Sequence, residues 1–74
     1  MKEYMIAYVS ERGIVCHPTF DDDDDMTEFA AYNLTAAERE TAEYGVWNEA
    51  ADKLDTRHEK WFKARIEYLL EQAV

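Results

Sequence analysis

KEYMIAYVSERGIVC, residues 2–16, is the stretch that decides the fold class. Strand formers alternate along its first half, with Tyr4, Ile6 and Tyr8 on one face and Met5, Ala7 and Val9 on the other. That is the period-two pattern of a strand covered at least in part on both sides. Ser10, Glu11, Arg12 and Gly13 follow as a short polar turn in which Gly13 can take a positive φ, and Ile14, Val15 and Cys16 resume the apolar pattern. The reading is a β-hairpin. Pro18 lacks an amide proton, so it ends the second strand or confines it to a sheet edge.

Beyond the hairpin the periodicity turns helical. Phe20 leads into five aspartates, whose mutual repulsion argues against regular structure until a helix can use them. Asp25 or Thr27 can cap a short helix over residues 26–33, with Phe29, Tyr32 and Met26 as its inward side. Thr35 and Glu38 have the spacing of a capping box, so a second helix is expected from Ala36. Tyr44, Trp47, Ala51 and Leu54 then recur at three, four and three residues, a single apolar stripe. On a helix Glu38, Glu49 and Asp52 would cluster opposite that stripe. Thr56 and Glu59 repeat the capping-box spacing, which places a break near Asp55 and a third helix over residues 57–72; one unbroken helix from Ala36 is the alternative. In this last segment Phe62, Ile66, Leu69, Leu70 and Ala73 form the core stripe. Trp61 and Tyr68 lie to one side of it, either under the hairpin or toward a partner.

These segments predict an α+β fold, an N-terminal β-hairpin packed on two or three α-helices, in a single domain spanning residues 1–74. The expected core is Tyr4, Ile6, Ile14, Phe29, Tyr44, Trp47, Leu54, Phe62, Ile66 and Leu69. A chain of 74 residues buries only about 60% of its unfolded surface, so carving an active site would remove much of its small core. An apolar fraction of 47% is too high for a disordered acidic tail. The single cysteine, Cys16, rules out an intramolecular disulfide and suits a reducing cytoplasm. No apolar run approaches the roughly 20 residues that cross a bilayer. The N-terminal segment carries Glu3 and no cleavage-site pattern, so no signal peptide and no membrane association are expected.

Charge carries the functional argument. Residues 1–52 hold 13 acids against 3 basic residues, a net of −10, whereas residues 53–74 net +1. A field of that sign attracts cationic surfaces and repels phosphate, which excludes direct nucleic-acid binding and points to a basic protein partner. The residues expected at the contact are Asp21, Asp22, Asp23, Asp24, Asp25 and Glu28, with Glu38, Glu49 and Asp52 behind them. Carboxylates one helical turn apart, or on alternate residues of an extended loop, match the spacing of phosphates along a strand, about 6–7 Å. Other chemistries fit less well. Asp21, Asp23 and Asp25 alternate as the first ligands of a calcium loop do, but Met26 stands where the loop needs glycine and Tyr32 where it needs glutamate. Cys16 and His17 are adjacent and point to opposite faces of a strand, with His58 far along the chain, so no structural zinc site is read. Phosphate-binding glycine loops, nucleophile elbows and paired-cysteine motifs are missing from the sequence. Neither catalysis nor a cofactor is expected. Arg57, Lys60, Lys63 and Arg65 are expected to pair along their helix, Lys63 with Glu59 on one side and Glu67 on the other.

In size, acidity and single-domain economy, and in Asp21 to Asp25, Glu28 and the Glu38, Glu49, Asp52 set, the chain resembles the small phage-encoded inhibitors of bacterial defence. These include anti-CRISPR proteins that act as DNA mimics. The resemblance implies a stoichiometric inhibitor that occupies the DNA-binding surface of a CRISPR-type nuclease or surveillance complex in the host cell cytoplasm. A second class of function stays open: a small interaction module or oligomer subunit, docking a partner helix or a second copy through the apolar edge around Trp61 and Tyr68.

Overall fold

In a computed structural model that describes residues 2–73, the alternating segment forms β1 (Tyr4–Val9), and the chain returns along it as β2 (Val15–Cys16) and β3 (Thr19–Phe20). Then come α1 (Asp23–Asn33), α2 (Ala36–Thr41), β4 (Glu43–Asn48), β5 (Lys53–Asp55) and α3 (Glu59–Gln72). Met1 and Val74, the ends of the expected domain, lie outside the described residues. The fold is α+β, a five-stranded antiparallel sheet with three helices.

The N-terminal hairpin forms as the alternation predicts. Its turn is closed by the Ser10 amide donating to the Ile14 carbonyl and the Gly13 amide to the Ser10 carbonyl, each at 2.8 Å, with Gly13 at φ 80°. β2 and β3 are two ends of one edge strand. Tyr8 pairs with Cys16 and Tyr4 with Phe20 in the same register. Pro18 therefore falls opposite Ile6, where its carbonyl accepts the Ile6 amide at 3.2 Å but it can donate nothing back. β1 pairs on its other side with β4, and β4 with β5, giving the order β2/β3, β1, β4, β5.

The second half of the chain corrects the helical reading of residues 36–54. The capping box forms, with the Glu38 amide donating to Thr35 Oγ1 at 3.2 Å and the Thr35 amide to Glu38 Oε1 at 2.9 Å, but α2 ends at Thr41. Tyr44, Val46 and Trp47 are strand formers and Gly45 is a poor helix former, so β4 outcompetes a longer helix. Neither one unbroken helix nor an apolar helical stripe exists there. Tyr44 and Trp47 point to opposite sheet faces, and Ala51 sits exposed in the β4–β5 turn. At Gly45 a β-carbon would lie 2.2 Å from the Asp55 carbonyl oxygen, so β5 crosses β4 where only glycine fits.

All three helices cover one sheet face. Ile6, Met26, Ala30, Ala31, Leu34, Ala42, Tyr44, Phe62, Ile66 and Leu69 form the buried cluster, with Tyr4, Tyr8, Phe20, Phe29 and Leu70 packed against it. Tyr4 meets Phe62 edge-on at 6.2 Å, and Phe20 meets Phe29 at 5.3 Å. Several expected core residues lie elsewhere: Ile14 is 58% exposed at the turn, Tyr32 and Ala73 face solvent, and Trp47 and Leu54 are on the helix-free face of the sheet. Small residues fill their place: Ala30 and Ala31 lie on the buried side of α1, which packs against α3, and Ala42 is buried just after α2.

Candidate functional site

The aspartate run starts a helix. Asp22, not Asp25 or Thr27, is the N-cap of α1, its Oδ1 accepting the Asp25 amide at 2.7 Å. Asp23, Asp24 and Asp25 occupy the first turn, where the positive end of the helix dipole stabilises carboxylates and offsets their repulsion. Thr27 is buried and spends its hydroxyl on the Asp23 and Asp24 carbonyls at 2.9 and 3.1 Å. Asp21, Asp22, Asp24, Asp25 and Glu28 are exposed, and Asp23 is half-buried. Among the described residues the cation within ion-pair reach of the run is Arg65, 3.6 Å from Asp24. Glu28 is one turn beyond Asp24, a rise of about 6 Å.

The sheet decides which other carboxylates join them. The Trp47 amide donates to the Glu3 carbonyl at 2.8 Å, and Tyr4 lies between Phe20 and Val46. The start of β1, the exit from β3 and the β4–β5 turn therefore share one end of the molecule. Glu3, the aspartate run, Glu49 and Asp52 gather at that end, all of them exposed except half-buried Asp23. Asp52 holds the turn at φ 51°, a left-handed conformation that aspartate tolerates.

Glu38 does not belong with them. It lies at the opposite end, where its carboxylate is committed to the Thr35 amide and to the Glu11 amide at 3.3 Å. The expected face of Glu38, Glu49 and Asp52 is thus divided between two ends, because the helix that would have aligned them is not formed. Glu3 was not singled out by the sequence; its membership follows from strand register, which no local spacing encodes.

Beside the acidic end is a groove of about 260 Å³ lined by Lys2, Tyr4, Asp23, Val46, His58, Trp61 and Phe62. Trp61 is 53% exposed and rests edge-on against Phe62, 5.4 Å between ring centres. Tyr68, equally exposed, lies about 10 Å further along α3 with the Arg65 guanidinium 5.8 Å over its ring. Neither aromatic packs under the hairpin.

The remaining ionic groups serve the fold. Thr56 does not cap α3; His58 is its N-cap, without a side-chain bond, while the Glu59 carboxylate accepts the Tyr44 amide at 3.2 Å and pairs with Lys63 at 2.9 Å. No ion pair joins Lys63 to Glu67 among the described residues. The Arg57 side chain and amide donate to Asp55 and hold its carboxyl below its ordinary range. Burial, with Glu59 nearby and against the pull of Arg39, raises the Tyr44 phenol. Arg39 donates to the Ala30 and Leu34 carbonyls at 3.3 and 2.5 Å, tying α2 to the end of α1.

Cys16 is half-buried, its thiol directed at the Ile14 carbonyl at 3.6 Å, and His17 is exposed. Among the described residues no three His, Cys, Asp or Glu side chains converge as metal ligands, and no helix is long and apolar enough to cross a membrane. Comparison with protein-family models, curated proteins and solved structures finds no match to the chain.

Proposed function

We propose that the chain is a non-catalytic acidic binding protein that docks the end carrying Asp21 to Asp25 onto the basic nucleic-acid-binding surface of a partner protein. There it acts as a stoichiometric inhibitor by mimicking phosphate charge. The observation that carries the reading is the first turn of α1. Its carboxylates are held in a helical frame, those of Asp24 and Asp25 exposed and that of Asp23 half-buried, and among the described residues the cation within ion-pair reach is Arg65, 3.6 Å from Asp24. Glu28, Glu3, Glu49 and Asp52 extend the same negative surface. Such a surface would gain affinity from lysine and arginine contacts and from steering of the encounter, both weakened by salt. A DNA-binding component of bacterial defence, as the resemblance implies, is the narrowest form of this reading.

The exposure of Trp61 and Tyr68 favours a second reading, an interaction module that docks through α3. The two are separated by capture from a bacterial lysate, using the wild type, a variant with residues 21–25 changed to asparagine, and Trp61→Ala. Under the first reading, a DNA-binding protein is retained by the wild type at low salt, lost from the asparagine variant, and released by duplex DNA. Salt-resistant capture lost only in Trp61→Ala supports the second.

A further inference from the structure

The geometry points to a second copy of this chain as the cover for the helix-free face of the sheet. Alternation along the strands puts Met5, Ala7, Val9, Val15, Trp47 and Leu54 on that face, and none of them belongs to the buried cluster or packs against it. Val9 is 41% and Val15 61% exposed. A sheet with helices on one side and apolar residues on the other is a two-layer structure lacking its third layer.

Three observations select a second copy. The first is area. Strands about 4.8 Å apart and rising about 3.3 Å per residue give, over β1, the β2/β3 edge, β4 and the short β5, a face of about 330 Å²; two such faces bury about 700 Å², the size of a weak, concentration-dependent contact. The second is that edge pairing is closed off. One edge carries Pro18, and the other is a three-residue strand that starts at Lys53.

The third is the charge pattern. Strand register sets His17, Ala7 and Glu43 in one row across the face. His17 and Glu43 are exposed, and neither side chain has a hydrogen-bond partner among the described residues. A two-fold axis parallel to β1 and passing over Ala7 exchanges the two flanks. Each imidazole then faces the other copy's Glu43 carboxylate, giving two reciprocal hydrogen-bonded pairs. In the next row Met5 meets Met5, and Thr19 faces Gly45, where the Leu54 side chain and Asp55 carbonyl of β5 fill the place of a β-carbon and form the surface it would meet. Glu3 meets its counterpart at the rim, where both reach water. The roughly 30° angle between packed sheets shifts the His17 and Glu43 positions by only about 2–3 Å, because both lie one strand from the axis. The interface is isologous and closes on itself.

Sedimentation equilibrium of the full chain from micromolar to millimolar concentration tests this. The expected mass rises from 8.7 kDa to twice that value. Val15→Glu should weaken the dimer by at least about tenfold, with unchanged circular dichroism because Val15 is exposed. His17→Glu and Glu43→His should each weaken it, and the double exchange should restore it. A wild type that stays at 8.7 kDa throughout overturns the proposal. So does a dimer indifferent to Val15→Glu, and single exchanges without effect overturn the two-fold arrangement.

Discussion

At the scale of single residues, Gly45 is the position on which the second half of the fold turns. A β-carbon there would meet the Asp55 carbonyl oxygen at 2.2 Å and the Leu54 side chain at 3.2 Å, so strand β5 could not keep its place beside β4. The obstacle is backbone, which cannot swing aside as a flexible side chain would. Gly45→Ala is expected to destabilise the protein by about 2–3 kcal/mol, the range for overpacking a close contact. Urea denaturation monitored by Trp47 and Trp61 fluorescence measures it; a loss below half that range would mean that β5 moves freely. Gly13, by contrast, has open space around the position of a β-carbon and is held only by its φ of 80°. The two glycines thus serve different ends, one a close approach and the other a turn.

At the scale of elements, what sequence could reveal depended on whether local pattern and tertiary contact agreed. The first hairpin was legible because alternation, a polar turn and Gly13 all point the same way. Helix α3 was legible because Phe62, Ile66 and Leu69 keep helical spacing on one face. Strands β4 and β5 were not: Tyr44, Trp47, Ala51 and Leu54 match a helical stripe by coincidence, and the pairing of β4 with β1 outweighs that pattern. The candidate site divides along the same line. The aspartates were visible as charge, but their gathering with Glu3, Glu49 and Asp52 depends on sheet register, and Glu38 was lost to a cap. The aspartate run also has a structural role that repulsion alone would hide, since Asp22 caps α1. Asp22→Ala should cost about 1 kcal/mol, whereas Asp22→Asn, an equally good cap, should cost little. Thermal melts of the two variants decide this, and equal losses would show that charge at the dipole matters more than the cap. The asparagine variants proposed for binding assays therefore keep the helix start while removing its charge.

At the scale of the whole molecule, the proposed binding surface and the proposed dimer face make opposite demands on salt. Partner docking by carboxylates rests on Coulomb attraction across the contact and weakens as the Debye length shrinks from about 30 Å at 0.01 M to about 3 Å at 1 M. Self-association brings together two chains of net charge −9 each, so at low salt the repulsion opposes the apolar gain. A two-fold axis parallel to β1 sets both acidic ends at the same end of the dimer. Their aspartate runs lie on the outer helix layers, about 30 Å apart if each layer adds about 10 Å. That distance is several Debye lengths at 0.15 M salt but only one at 0.01 M. The dimer dissociation constant is therefore expected to fall by about tenfold on raising salt from 0.01 to 0.15 M, then to change little, since burial of Met5, Val9, Val15 and Trp47 is insensitive to screening. Affinity for a basic partner should fall over the same range. Sedimentation equilibrium and a titration against the captured partner, run in the same salt series, measure the two trends. Parallel trends would mean that one surface serves both contacts, in which case the separation of acidic end from apolar sheet is not how this chain works.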